Sequence, residues 1–132
     1  MDMAQTMDGT ERMEIQLPLE PESARRARSA IAPLGVHADV SSFDDVRLMV
    51  SELVCDALAT EPRPADGAIT MEAEVSGGLT QVKVRFDGLI LRLPATKPQP
   101  AEPGWGVYLV QTLATRWGAR RENGSTYVWF EA

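Results

Sequence analysis

Two carboxylates of this sequence, Glu52 and Asp56, have a spacing that suits them to chemistry. They are four residues apart in a helical pattern, so they project from one side of a helix, one turn apart. Such a pair can hold Mg²⁺ through oxygen and water ligands, and one member can act as a general base toward a hydroxyl or a water. Spacing alone favours the simpler interpretation, which is an ordinary solvated helix face.

The helix that carries this pair is the clearest element of the sequence. Ser41 and Ser42 each precede an aspartate by three residues, which gives two capping boxes ahead of an apolar series. The two signals together predict a helix from about residue 42 to residue 60. Its broad apolar stripe consists of Phe43, Val46, Met49, Val50, Leu53, Val54, Ala57 and Leu58.

The remaining elements follow from apolar periods of two and of about 3.6 residues. Strands are predicted at 13–19, 69–75 and 82–86, and on both sides of a turn at 123–124. Two further helices are predicted at 21–34 and 105–117. We therefore expect an α+β fold, a two-layer sandwich in which three helices cover one face of a mainly antiparallel mixed sheet.

Composition and charge exclude several classes of function. The net charge of −6 argues against a general nucleic-acid binder, because that affinity comes largely from Lys and Arg. No apolar run approaches the roughly 20 residues that span a bilayer, so no membrane contact is expected. Cys55 is the only cysteine; we expect a small buried side chain and a cytoplasmic location. Residues 1–12 are polar and are expected to be a disordered leader before a single domain at 13–132.

Three parts of the sequence resemble one family. The run Ser51-Glu52-Leu53-Val54, followed by Asp56 and Ala57, resembles the N-box helix of the histidine-kinase-like (GHKL) ATPases. Asp87 at a strand end resembles the aspartate of that family that receives the adenine amino group, and Gly104-Trp105-Gly106 resembles its glycine box. The likeness covers about 13–132 and is strongest to the single-domain anti-sigma-factor serine/threonine kinases of actinobacterial type.

The resemblance implies the Bergerat ATP-binding fold and a role for each matched residue. Glu52 would be the general base, and Asp56 would hold Mg²⁺ in place of the Asn usual in the family. The ATP-binding residues implied in the same way are Asp87, Gly88, Gly104, Gly106 and Val107. Backbone N–H groups at the start of the last helix would approach the phosphates there.

Several departures from the family pattern bear on whether ATP is still bound. Asp56 adds a negative charge where polyphosphate would lie. The D-x-G-x-G pattern of the family is incomplete, and Leu89 and Leu91 add bulk where the adenine ring would approach. The loop at 93–103, in the place of the ATP lid, has Lys97 as its only basic residue.

Two functions remain open from these residues. One is a transcription-regulating kinase that binds Mg-ATP, phosphorylates a Ser or Thr of an antagonist protein and sequesters a sigma factor. The other is a nucleotide-free binding module of the same fold, which docks a partner through the helix at 21–34. The resemblance and a strand edge at Met13 also suggest a homodimer. Trp105 either covers a nucleotide or packs in the core, and the core is the simpler expectation.

Overall fold

The structure is a computed structural model that describes residues 4–7 and 10–132, with side chains described from Thr10 onward. Three α-helices and six strands make up the described residues, together with a short 3₁₀ helix at Ala32–Val36. The helices are Ser23–Ile31 (α1), Val40–Ala59 (α2) and Trp105–Leu113 (α3). The strands are Ala4–Met7 (β1), Thr10–Pro18 (β2), Ala68–Ser76 (β3), Leu79–Asp87 (β4), Arg116–Glu122 (β5) and Ser125–Glu131 (β6).

The strands form one sheet in the order β1-β2-β3-β4-β6-β5. Every neighbouring pair of these described strands is antiparallel, and a single parallel bridge joins Ala38 to Gly78 outside them. The helices pack on one face of this sheet, so the expected two-layer α+β sandwich is confirmed. The mixed character of the sheet is confined to that one bridge.

The core lies between the helices and alternate residues of the central strands. Ile69 of β3 pairs with Leu17 on one side and with Phe86 on the other, which places a row of large side chains across the sheet. All three are at most 1% exposed. Burying side chains of this size contributes about 1.5–3 kcal/mol each. The opposite face of the same strands is polar, as at Glu72 and Lys83, which are exposed.

The first strands begin earlier than the sequence predicts. Ala4–Met7 pair with Thr10–Met13, so the expectation of a disordered leader is wrong for residues 4–7 and 10–12. Backbone pairing of β2 with β1 and β3 supplies hydrogen bonds to these residues, and the polarity of their side chains does not indicate it. For residues 1–3 and 8–9 that expectation lies outside the described residues. Met13 is 5% exposed and lies between β1 and β3, so it is not the open edge that was expected.

The long helix α2 is confirmed, but its cap differs from the prediction. Asp39 is the N-cap residue, and one oxygen of its carboxylate accepts from the backbone N–H of Ser41 at 3.1 Å and from the Ser41 hydroxyl at 2.9 Å. These bonds lower the pKa of Asp39. The predicted capping boxes at Ser41 and Ser42 are therefore wrong, because the chain is already helical at Val40.

Two side chains lie elsewhere than expected. Cys55 is exposed rather than buried, because it lies on α2 beside the apolar stripe. Trp117, which was predicted in the helix at 105–117, is in β5 opposite Phe130. The helix α3 already ends at Leu113, and the N–H of Thr115 donates to the Glu131 carbonyl of the sheet at 2.8 Å. Among the helices of residues 10–132, none has the length and apolarity needed to span a bilayer.

Candidate functional site

The site is assembled where the N-terminus of α3 meets the middle of α2. Gly106 permits this close approach, because a Cβ at that position would lie 2.8 Å from the backbone nitrogen of Leu53 and closer still to the carbonyl of Glu52. Any side chain at 106 would push the two helices apart. Gly104 precedes the helix in the left-handed region, with φ of 97°, which favours glycine.

Asp56 lies at the centre of this contact and is 4% exposed. Its Oδ1 accepts from the backbone N–H of Gly104 at 3.2 Å, and its Oδ2 accepts from the backbone N–H of Val107 at 3.0 Å. The N–H of Gly106 also favours the charged carboxylate. The carboxylate therefore occupies backbone donors at the start of α3.

Burial dominates the protonation behaviour of this carboxyl. Removal from water raises the pKa of Asp56 to about 6, against the lowering effect of the three backbone N–H groups. The negative charge of Glu52, one turn earlier on α2, is a smaller cause of the same rise in the pKa of Asp56. The simpler interpretation, an ordinary solvated helix face, is wrong for Asp56, which is buried in the interface between the two helices.

Glu52 is half-buried and points from the same side of α2 as Asp56. Cys55 lies between these two residues on the helix, and the nearby charges change the pKa of its thiol. Partial burial raises the pKa of its thiol, and the charges of Glu52 and Asp56 raise it further, whereas Arg28 of α1 lowers it. This edge of α2 is therefore negative, with one arginine of α1 nearby.

Asp87 and Gly88, at the end of β4, have partners outside the Asp56 contact. The carboxylate of Asp87 accepts from Nε of Arg85 at 2.8 Å, in an ion pair whose side chains are 40% and 43% exposed. The N–H of Gly88 donates to the Ser125 hydroxyl at 3.0 Å. The structure thus gathers Asp56, Gly104, Gly106 and Val107 into one group, whereas Asp87 pairs with Arg85 of the same strand and Gly88 with Ser125 of β6.

The segment after Gly88 is part of the core. Leu89 and Leu91 are 1% and 0% exposed. The hydroxyl of Thr126, itself fully buried, donates to the Leu89 carbonyl at 2.7 Å and accepts from the Leu91 N–H at 3.0 Å. Nη2 of Arg121 donates to the Leu91 carbonyl at 2.7 Å. The roles of Thr126 and Arg121 were not predicted from the sequence, because nothing local marks a strand hydroxyl or arginine as the partner of a distant loop.

The long loop is confirmed, since residues 88–104 contain no helix or strand. Lys97 within it is exposed. Arg92 lies just before the predicted loop and was not among the predicted site residues. Its Cγ is 3.5 Å from the position that a Cβ on Gly104 would occupy. Trp105 is half-buried and stacks on Tyr108 with ring centroids 5.7 Å apart, so the expected packing of Trp105 in the core is only partly met.

Mg-ATP does not fit these residues in the arrangement they adopt. The N–H groups that would receive phosphate donate to Asp56, and a second anion there would meet the ionised carboxylate. Both Asp56 oxygens face N–H donors, so the carboxylate is turned toward the start of α3. Across residues 10–132, no group of three or more His, Cys, Asp or Glu side chains forms a metal site.

Comparisons with known proteins agree with this architecture. A family model described as the histidine kinase-like ATPase domain matches residues 17–131. A crystal structure of the RsbU and RsbW domains of Rv1364c from Mycobacterium tuberculosis is similar, with a TM-score of 0.69 and 21% sequence identity. That match covers 91% of this chain and 31% of the other, and at this identity it shows a shared fold. No curated protein matches the sequence.

Proposed function

Because this chain belongs to the histidine kinase-like ATPase domain family, a nucleotide-binding family that typically uses Mg²⁺, we propose a role of the anti-sigma-factor kinase type. In this proposal the domain is a regulatory binding module. It docks protein partners, a sigma factor and its antagonist, and it needs no nucleotide to do so. The resemblance to this family is confirmed. Of the two functions that the sequence left open, we propose the binding module.

The core position of Leu89 and Leu91 carries this proposal. The family resemblance places the adenine ring beside this segment, where both side chains are buried and Thr126 holds the backbone. Exposing two buried leucines costs about 3–6 kcal/mol in total, at about 1.5–3 kcal/mol each. An adenine that displaced them would lose affinity by a factor of about a hundred to ten thousand.

The docking surface in this proposal is the outer face of α1. Arg25 and Arg26 are exposed there, on the side of the helix opposite Ala24 and Ala27, which are buried. A basic face on a chain of net charge −6 favours an acidic protein segment by charge complementarity. This surface lies on the helical side of the sandwich.

The test is quantitative binding to the purified sigma factors and antagonist proteins encoded in the same genome. We expect one of them to bind with the same Kd in buffer, in Mg-ATP and in Mg-ADP, and Arg25→Glu with Arg26→Glu to weaken that binding. Lys83→Glu is the matched control, because Lys83 is exposed on the helix-free face of the sheet. A Kd that differs tenfold between ATP and ADP, or transfer of labelled phosphate to the antagonist, would contradict the proposal.

A second candidate is the kinase itself, and Glu52 favours it. Its side chain is half-buried one turn before Asp56, at the position where the family has its general base. If labelled phosphate is transferred from ATP to an antagonist, Glu52→Ala should abolish the transfer and leave nucleotide binding largely intact. Loss of nucleotide binding in the same variant would assign Glu52 a role in binding rather than in catalysis.

Homodimerisation stays a prediction from the family resemblance, because the burial of Met13 removes the edge on which it partly rested. Light scattering over a range of concentrations tests it, and a mass equal to one chain at every concentration would contradict it.

A further inference from the structure

The start of α3 needs an acceptor that its own sequence does not supply. The first turn of any helix leaves backbone N–H groups without partners inside the helix. The N-cap residue of α3 is Gly104, which has no side chain and therefore makes no side-chain cap. Asp56 meets this need from a position 48 residues earlier in the chain than Gly104.

The two oxygens of Asp56 are both used, which separates aspartate from asparagine at this position. Oδ1 accepts from Gly104 and Oδ2 accepts from Val107, so two donors need two acceptors. An asparagine offers one acceptor oxygen and an NH₂ group, and the NH₂ would face a backbone N–H donor. A buried donor that loses its acceptor is costly, so the geometry selects the carboxylate.

We propose that the Asp56 carboxylate substitutes for the nucleotide phosphate in this domain, as an internal anion that ties the N-terminus of α3 to α2. This inference deepens the proposed function and rests on it, since it gives a nucleotide-free domain the contact that a bound phosphate would otherwise supply. The tie also fixes the end of the loop at 88–104, because Gly104 is its last residue. The partner surface on α1 is then held against an ordered α2 without any ligand.

Because Asp56 takes the place of phosphate in this proposal, its carboxylate and an added phosphate compound should compete for the backbone N–H groups at the start of α3. With Asp56 in place, inorganic pyrophosphate should leave the N–H groups of Gly104, Gly106 and Val107 unaffected. With Asp56→Ala, the same amides lose their acceptor, and pyrophosphate should bind them. A residue with a purely packing role would show no such rescue by an anion.

The experiment is amide hydrogen exchange and ¹⁵N chemical-shift mapping of wild type, Asp56→Ala and Asp56→Asn, with and without millimolar pyrophosphate. Asp44→Asn is the matched control, because Asp44 is exposed on the same helix. In Asp56→Ala, exchange at both Gly104 and Val107 should rise about tenfold to a hundredfold, as expected for a lost buried hydrogen bond, and in Asp56→Asn it should rise at whichever of the two amides faces the NH₂ group. Exchange in the centre of β3 should not change. Pyrophosphate should restore protection in Asp56→Ala only.

Two results would overturn the inference. One is unchanged exchange at these amides in Asp56→Asn, which folds if Asp56→Ala does not, because it conserves the volume of the side chain. The other is a shift of the Gly104, Gly106 and Val107 amides by pyrophosphate in the wild-type protein, which needs no variant. Partner binding without nucleotide is measured separately, so either the tie or the docking role can fail while the other holds.

Discussion

Raising the pH through the neutral range is expected to destabilise this domain through a single group, Asp56. Burial raises the pKa of this carboxyl to about 6 in the folded protein, against its ordinary value of 3.8. A carboxyl whose folded pKa is raised binds its proton more tightly in the folded state than in the unfolded state. Its contribution is therefore fully present below the unfolded pKa and is lost as the pH rises through the folded pKa.

The magnitude follows from the two pKa values. A shift of one pKa unit corresponds to about 1.4 kcal/mol, so a shift from 3.8 to about 6 corresponds to about 3 kcal/mol of unfolding free energy lost between about pH 4 and pH 7. Asp56 is 4% exposed, so solvent screens this effect little. Other carboxyls of the chain titrate over the same range, and the comparison must remove their contribution.

Urea unfolding of the wild type and of Asp56→Asn between pH 4 and pH 8 makes that comparison. Asparagine does not titrate, so the difference between the two unfolding free energies isolates Asp56. We expect the wild type to lose stability relative to the variant as the pH rises, with the steepest change about midway between the two pKa values, near pH 5. A difference that stays constant over the whole range, or that grows in favour of the wild type, would refute the reasoning.

Three further substitutions test the contacts around this site, each by urea unfolding at one pH. Gly106→Ala should destabilise by about 1–3 kcal/mol, because its Cβ collides with the backbone of α2; wild-type stability would mean that the helices separate freely. Thr126→Val should cost about 1–3 kcal/mol through the two bonds to Leu89 and Leu91, and a neutral effect would show that other contacts hold the segment. Asp39→Ala should cost about 1 kcal/mol as the cap of α2, whereas Asp44→Ala should cost less.

The elements with one buried face were predictable from sequence. The hairpin of β3 and β4 was predicted to within a few residues, because alternate side chains of both strands are buried and glycines turn the chain between them. The first residues of β5 were assigned to the predicted helix at 105–117, because none of the strand's side chains is fully buried and no period of two is visible from Arg116. Its place in the sheet is set by backbone pairing with β6.

The caps and the site contacts depend on partners that the local sequence does not identify. Asp39 caps α2 from outside the apolar pattern, and two serines nearby have equally good capping chemistry. The contacts of Asp56 with Gly104 and of Leu89 with Thr126 join residues 48 and 37 positions apart. Residue type predicts which groups need partners, whereas only the fold determines which partner each one finds.

In the helix with Glu52 and Asp56, the residues that pack the core differ from the residue that determines what the site can bind. Its apolar stripe packs the core, and the helix lies within residues 17–131, which match the family model. A carboxylate at 56 would repel a polyphosphate, yet it satisfies both Gly104 and Val107, which an asparagine cannot do. In the function that we propose, the same carboxylate therefore opposes nucleotide binding and supplies the contact at the start of α3.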